Sequence, residues 1–378
     1  MARSGLGPGD RLVVKVGTTS LLGPSGEPDV ARMKTLCEGI AEVRAAGIDV
    51  VLVSSGAIAA GMSPLGLTDR PVDVPSLQAL AAVGQGRLQA SYSSLLSGLG
   101  LVAAQLLLTR YDFMHRSQYL NARNTLDRLL SLGSVPVVNE NDTVAVDEIS
   151  FGDNDRLAAL VANLARARML VLLTDAQGLH RADPRRSPGA PLIDEVERIT
   201  PEIEQAAGGR GSTLATGGMS SKVAAAWVAT FSGVSVVVAE ASSPSVLARA
   251  AAGEPVGTYF HPRLRSASAR RLWIAFAQPP RGTVVVDTGA REAVVERGRS
   301  LLPAGVLDLH GRFGPGDTVD VIEAGKDPSR PFARGLVRYG ADDLAAARGR
   351  STAGLAQSEV IHRDQLVILE TAEVDRSK

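Results

Sequence analysis

The sequence predicts an α/β protein: a mostly parallel sheet sandwiched by helices, followed by a small, mostly β domain. Three observations carry this. Short, continuously apolar runs alternate with helix-period segments over the first two-thirds of the chain, and strands that are apolar on both faces belong in parallel sheets covered by helices. The alternation stops after about Pro262. Beyond that point short β-rich runs follow one another, separated by turns containing Gly or Pro.

Leu12–Val16 is the first expected buried strand, and Asp49–Val53, Leu101–Leu108, Val135–Val138, Met169–Leu173 and Val234–Ala239 are the others. Between them lie the helical segments. Val30, Met33, Cys37, Ile40 and Val43 recur at helical spacing, as do residues of Leu77–Leu96, Tyr119–Leu132 and Leu157–Ala165. An Ala-rich, helix-like run covers Val223 to Thr230. These elements place a first domain at residues 10–262. A polar segment, Arg263 to Arg271, and the punctuation Gln278-Pro-Pro-Arg-Gly282 end it. The second domain, residues 279–372, contains the β-rich runs Thr283–Asp287, Ala293–Arg297, Thr318–Glu323, Phe332–Val337 and Gln365–Ile368. At roughly ninety residues it is large enough to fold by itself.

Composition narrows the function classes. The 378 residues are 45% hydrophobic and 21% charged, as in ordinary soluble proteins. Lys+Arg and Asp+Glu both number 40, and a net charge of zero weighs against a broad nucleic-acid footprint. The single cysteine, Cys37, sits on an apolar helical stripe and is expected in the core. Met1 to Leu12 has no long apolar core, and no apolar stretch is long enough to span a membrane. A cytoplasmic location is the expectation. The five histidines are scattered and lack ligand spacing.

The polar motifs fall just after the expected strands, where open parallel sheets bind their ligands. Val13-Val-Lys-Val-Gly-Thr-Thr-Ser20 puts a lysine inside an apolar strand. Burying an unpaired ammonium is costly, so Lys15 either reaches a phosphate past the strand end or snorkels to solvent. Val51-Leu-Val-Ser-Ser-Gly-Ala-Ile-Ala-Ala-Gly61 breaks from a strand into small residues. Its Ser54 and Ser55 hydroxyls can cap the following helix, whose free amides suit a carboxylate. Asn139-Glu-Asn-Asp-Thr143 and Phe151-Gly-Asp-Asn-Asp155 bring four carboxylates and three amides to two loops. Such groups can grip an ammonium, orient lysines or hold Mg2+ through water. Leu172-Leu-Thr-Asp-Ala-Gln-Gly-Leu179 adds a hydroxyl and a carboxylate at the same sheet edge. Gly211-Ser-Thr-Leu-Ala-Thr-Gly-Gly-Met-Ser-Ser-Lys222 is the most informative stretch. A flexible Gly/Ser/Thr loop there delivers a lysine to a helix N-terminus, an arrangement that favours a phosphate. It lacks the G-x-x-x-x-G-K-[ST] spacing of a Walker A loop.

Together these segments resemble the amino acid kinase family and, within it, the glutamate 5-kinases. VVKVGTTS, VSSGAIAAG, NENDTVAV, FGDND, LLTDAQGL and TGGMSSK stand in that family's order. Gly282-Thr-Val-Val-Val-Asp-Thr-Gly-Ala290, Ser300-Leu-Leu-Pro-Ala-Gly305 and Gly311-Arg-Phe-Gly-Pro-Gly-Asp317 resemble a PUA domain. The resemblance runs from about Asp10 to about Thr371. The Gly17-Thr-Thr-Ser turn and Ser221 before Lys222 are conservative variants of the family pattern.

The resemblance implies transfer of the ATP γ-phosphoryl group to the side-chain carboxylate of L-glutamate, the first step of proline synthesis. By that resemblance Lys15 and Lys222 hold the phosphates and the transferring group, and Asp155 orients them. Ser55, Asp142 and Asn154 bind glutamate. Lys15, Thr174, Asp175 and the run Thr216, Gly217, Gly218, Met219, Ser220, Ser221 and Lys222 contact the nucleotide. Mg2+ is held mainly by ATP, with no metal ligand assigned to the protein. A homodimer or tetramer, feedback inhibition by proline and a partnership with glutamyl phosphate reductase are further implications. The chemistry agrees: a carboxylate is ionised at neutral pH and needs no general base, and phosphoryl transfer asks mainly for positioning and charge. Two rivals stand beside this reading. One is another kinase of the same fold, acting on acetylglutamate or uridylate. The other is an RNA-binding protein, since PUA domains elsewhere bind RNA.

Overall fold

The strands expected before Pro262 form one sheet in the computed structural model, which describes residues 3–23, 26–144, 154–184, 187–208, 218–263, 280–328, 330–350 and 359–369. The chain divides into two units, Met1–Ser266 and Ala267–Lys378. The strands of the first unit are β1 (Arg11–Val16), β2 (Asp49–Val53), β3 (Ala103–Leu108), β4 (Val135–Glu140), β5 (Met169–Thr174), β6 (Glu195–Val196), β7 (Ser235–Glu240) and β8 (Thr258–Phe260). Its helices are α1 (Val30–Ala45), α2 (Ala57–Met62), α3 (Val74–Gly98), α4 (Arg110–Met114), α5 (Arg116–Ser131), α6 (Asp155–Leu164), α7 (Pro201–Ala206), α8 (Met219–Phe231) and α9 (Val246–Ala251).

The eight strands lie in the order β3-β4-β2-β1-β5-β7-β8-β6. All neighbours from β3 to β7 are parallel; β8 runs antiparallel to β7, and β6 runs parallel to β8. The mostly parallel sheet of the sequence reading is therefore present. Its register aligns one level across the centre: Val138 of β4, Val53 of β2, Lys15 of β1, Leu172 of β5 and Val238 of β7. The residues just past this level lie at the carboxyl edge of the sheet, and that is where the polar motifs fall.

Strand alternation decides which layer each side chain enters. Leu12, Val14 and Val16 share a buried cluster with α1, α3 and α9, including Met33, Cys37, Leu88 and Tyr92. Lys15, one residue out of step with Val14 and Val16, belongs to the opposite face, where α6 packs on β1 and on α8. Cys37 is a core residue as expected, and burial pushes its thiol up to about 12. Aspartates set two helix starts: Asp29 accepts from the Arg32 N–H at α1, and Asp73 from the Ser76 N–H at α3.

Helices α2 and α3 meet backbone to backbone. A Cβ added at Gly84 would stand 1.8 Å from the Ala57 carbonyl oxygen, and one at Gly61 would stand 2.0 Å from that of Leu80. Gly84→Ala is therefore expected to cost about 3 kcal/mol or more of unfolding free energy, because main chain, not a flexible side chain, blocks the methyl. Urea unfolding measures this. An unchanged midpoint would contradict the close packing.

The second unit has a five-stranded sheet in the order β10-β9-β11-β12-β13. Its strands are β9 (Gly282–Val286), β10 (Val306–Gly311), β11 (Thr318–Glu323), β12 (Ala333–Leu336) and β13 (Leu366–Ile368), with helices α10 (Thr288–Val295) and α11 (Ala341–Ala347). Val284, Val286, Val319, Val321, Phe332 and Ile361 centre its core.

Two expectations need correction here. Ala293–Arg297 is not a strand: Ala293–Val295 ends α10, which begins because Asp287 accepts from the Ala290 N–H. The cap three residues upstream outweighed the β-branched pair Val294-Val295, of which only Val294 is buried. The strand β10 went unpredicted: four of its six residues are exposed, and Asp308 and His310 interrupt its apolar positions. The polar segment Arg263 to Arg271 lies almost wholly outside the described residues, as do residues 278 and 279 of the punctuation that follows it.

Candidate functional site

Lys15 is fully enclosed at 1% exposure, and it does not snorkel to solvent. Its Nζ lies 2.7 Å from Asp155 Oδ1. Asp155 is the first residue of α6, is itself 1% exposed, and holds a second cation: Lys222 Nζ lies 3.2 Å from its Oδ2. The Ser221 hydroxyl lies between Asp155 Oδ2 at 2.8 Å and the Gly218 carbonyl oxygen at 2.7 Å. Alternation of β1 aims Lys15 at the α6 layer, and packing of α6 against α8 brings Lys222 to the same carboxylate. Two buried ammonium groups thus converge on one buried carboxylate. Two such cations side by side suit an anion in a setting where water screens little.

The glycine turn after β1 stays close. A Cβ added at Gly17 would stand 3.7 Å from Lys15 Nζ, so the turn passes over the ammonium. Lys222 was expected in front of a helix beginning at Val223. The helix starts earlier, at Met219, so Met219, Ser220 and Ser221 form its first turn and Lys222 follows inside it. Helical spacing of small polar residues is indistinguishable from loop composition, which hid this turn. Gly218 is the N-cap and supplies no side-chain cap. Thr216 and Gly217 lie outside the described residues.

A second cluster adjoins the first through the Asn154–Asp155 peptide bond. Asn154 is buried and is the N-cap position of α6. Its Nδ2 donates to the Ser54 carbonyl oxygen at 2.7 Å and to Asn139 Oδ1 at 2.6 Å. Asn139 Oδ1 also accepts from the Glu140 N–H at 2.9 Å, and Asn139 Nδ2 donates to Gln85 Oε1 at 2.6 Å. The Ser54 hydroxyl is 3.0 Å from the Tyr92 hydroxyl, whose own ionisation burial opposes strongly.

The serines do not cap α2 as expected. Its N-cap is Gly56, at φ 97°, without a side-chain bond. The left-handed backbone there requires glycine. It leaves Ser54 bonded to Tyr92 and the Ser55 hydroxyl buried at 7% exposure with no hydrogen-bond partner among the described residues. A buried, unmatched hydroxyl costs about 1–3 kcal/mol and suits a ligand group.

Asp142 is half-buried in the loop after β4, and burial pushes its carboxyl up to about 6, against the opposing pull of the Arg70 guanidinium. Thr174 ends β5, the strand beside β1, and its hydroxyl donates to Asp175 Oδ1 at 3.1 Å. Of the residues singled out in the sequence, Lys15, Asp155, Ser221 and Lys222 come together directly, and Asn154 joins them to Ser54. Residues 151–153 of the Phe151–Asp155 motif lie outside the described residues. Sequence reasoning gave no role to Gln85 or Tyr92. Both stand on the buried stripe of α3 with Leu77, Leu80, Gly84 and Leu88. A glutamine on such a stripe is the signal that was available.

Among the described residues no His, Cys, Asp and Glu group is arranged to hold a metal ion, and no helix is long and apolar enough to cross a membrane.

A parallel α/β sheet with two buried lysines at its carboxyl edge, held on one aspartate, defines a phosphotransferase-type scaffold. Comparison with known proteins bears on which one. Residues 10–240 match the amino acid kinase family, and residues 282–356 match the PUA domain. The chain is 48% identical to the glutamate 5-kinase of Anaeromyxobacter dehalogenans over 381 aligned positions, covering 98% of this chain and 99% of that one. It is 46% identical to the glutamate 5-kinase of Pelobacter propionicus, covering 95% and 97%. It is likewise 46% identical to that of Moorella thermoacetica, covering 97% and 98%. The chain belongs to the amino acid kinase family and, within it, to the glutamate 5-kinases.

Proposed function

We propose that this enzyme transfers the γ-phosphoryl group of ATP to the side-chain carboxylate of L-glutamate, giving L-glutamate 5-phosphate, as the first step of proline synthesis. The observation that carries the reading is the convergence of Lys15 and Lys222 on Asp155. A carboxylate oxygen of glutamate attacks the γ-phosphorus, the bond to the β–γ bridging oxygen breaks, and ADP leaves with the electron pair. Lys15 and Lys222 neutralise charge on the transferring group and on the oxygen it leaves. Asp155 fixes both ammonium groups so that little reorganisation is needed at the moment of transfer. When bound with ATP, Mg2+ would supply further charge neutralisation, with no ligand to it assigned among these residues. Gly218 to Ser221, with Thr174 and Asp175 on the neighbouring strand, hold the nucleotide.

Glutamate sits on the Asn154 side. The unmatched Ser55 hydroxyl donates to its α-carboxylate, and Asn154 and Asp142 accept from its α-ammonium. The same pocket is the place for proline as a feedback inhibitor. The enzyme works in the cytoplasm, as a homodimer or tetramer.

Incubation with ATP, Mg2+, L-glutamate and hydroxylamine tests the reading, because hydroxylamine traps an acyl phosphate. γ-Glutamyl hydroxamate should form in step with ADP. Activity on N-acetylglutamate, aspartate or UMP with none on glutamate would leave only the fold standing.

Asp142 gives this site a pH dependence with a defined sign. Its raised carboxyl binds a cation well only when ionised, so ammonium binding is strongest above about 6 and weakens as the pH falls through it. The glutamate KM should rise on acidification while the ATP KM stays flat, and Asp142→Asn should have a high, pH-independent glutamate KM. The same acid-side rise in the Asn variant would remove Asp142 from the pocket.

A further inference from the structure

We infer that Gln85, on α3, is a positioning residue that braces Asn139 and, through it, holds Asn154 with Oδ1 toward the amino-acid substrate. The inference rests on the glutamate reading above and deepens it. Amides have two ends, and here both asparagine orientations are dictated by main-chain groups that admit one choice. The Glu140 N–H can only donate, so the atom of Asn139 beside it is Oδ1. The opposite end of Asn139 is then Nδ2, and it meets Gln85 Oε1. The Ser54 carbonyl can only accept, so the atom of Asn154 beside it is Nδ2. That same Nδ2 also meets Asn139 Oδ1.

Both protons of the Asn154 amide nitrogen are therefore taken, and Oδ1 is the group it has left to offer. An acceptor suits an α-ammonium and repels an α-carboxylate. The Glu140 N–H alone would leave the Asn139 side chain free to swing about that one contact. Gln85 ties down its far end, from a helix that is itself held to α2 by the glycine contacts. Gln85 is buried, so its acceptor is not shared with bulk water. Tyr92, two turns further along α3, supports Ser54, the other anchor of Asn154. One helix face thus braces both partners of a residue that it does not itself touch by hydrogen bond.

The test compares L-glutamate with glutarate, which lacks only the α-ammonium. In Gln85→Met, close in size but with no oxygen acceptor, the glutamate KM should rise by about tenfold or more, as for loss of one well-placed charge-assisted contact. The ATP KM and the inhibition constant of glutarate should stay as they are, because neither ligand uses the ammonium contact. Gln85→Glu keeps an acceptor oxygen at the same reach and should restore most of the glutamate affinity. Thermal melting of each variant checks folding. Should the Met variant not fold, Gln85→Asn, which keeps the amide but cannot reach Asn139, takes its place in the same comparison. Equal weakening of glutamate and glutarate, a shift confined to ATP, or an unchanged glutamate KM would each overturn the inference. Absence of hydroxamate with the unaltered enzyme would instead sink the glutamate reading before any variant is compared.

Discussion

Replacing Asp155 with asparagine should both destabilise the fold and lower kcat by a hundredfold or more, on the order of what one preorganised electrostatic group contributes. Asp155 is enclosed between Lys15 and Lys222, themselves 1% and 5% exposed. Asparagine keeps the shape and removes the charge, leaving two buried ammonium groups without that carboxylate. Breaking a buried ion pair from one side costs about 3–5 kcal/mol. ATP brings its own negative charge to the same place, so saturating nucleotide should recover part of the lost stability. Urea unfolding with and without ATP, set beside the turnover number, reads both effects. A variant that unfolds at the normal midpoint and turns over within twofold of the parent would show that the buried triad has no part in transfer.

Lys222→Ala carries the second large effect. Its ammonium is buried in the first turns of α8, beside the Gly218 to Ser221 backbone. A fixed charge there is worth most where negative charge shifts during transfer, so kcat should fall on the order of a hundredfold or more. The glutamate KM should change far less, since Asn154, Ser55 and Asp142 are the residues proposed to hold glutamate. Lys222→Arg should not rescue the loss: the planar, bulkier guanidinium does not replace a compact ammonium in a closed space. Near-normal turnover in the alanine variant would count decisively against Lys222 as a phosphate ligand. Removing this lysine leaves the Asp155 carboxylate still paired with Lys15. The stability cost should therefore be smaller than for Asp155→Asn, which separates the two variants on one unfolding axis.

Much of this molecule is legible in the chain. Runs such as Leu12 to Val14 and Met169 to Leu173 are apolar at every position, and that pattern has few homes outside a sheet covered on both sides. Once the sheet is parallel, residues after each strand gather at one edge, so Lys15, Ser55, Asn139 and Thr174 were identifiable as neighbours of a common cleft. Residue type also set the chemistry: lysines, amides and small residues, with no histidine base, fit phosphoryl transfer to a group that is already ionised.

Periodicity is local, however, and says which face a residue takes without saying what it meets. Lys15 in a strand had two readings, a phosphate past the strand end or solvent. The packing of α6 on β1 and α8 removes the solvent reading by enclosing Lys15 and bringing Asp155 and Lys222 to the same point. Ser54 and Ser55 have the composition of a helix cap, yet the left-handed Gly56 took the cap position and left one hydroxyl bonded to Tyr92 and the other unmatched. Gln85 is one polar residue on an apolar stripe; its meaning comes from Asn139, on a strand distant in sequence. The sequence determined the layers, the edge and the kinds of group available there, because these follow from short-range pattern. Only the tertiary structure decided which charge meets which and which partner each end of an amide takes, because those depend on contacts between elements that no local pattern encodes.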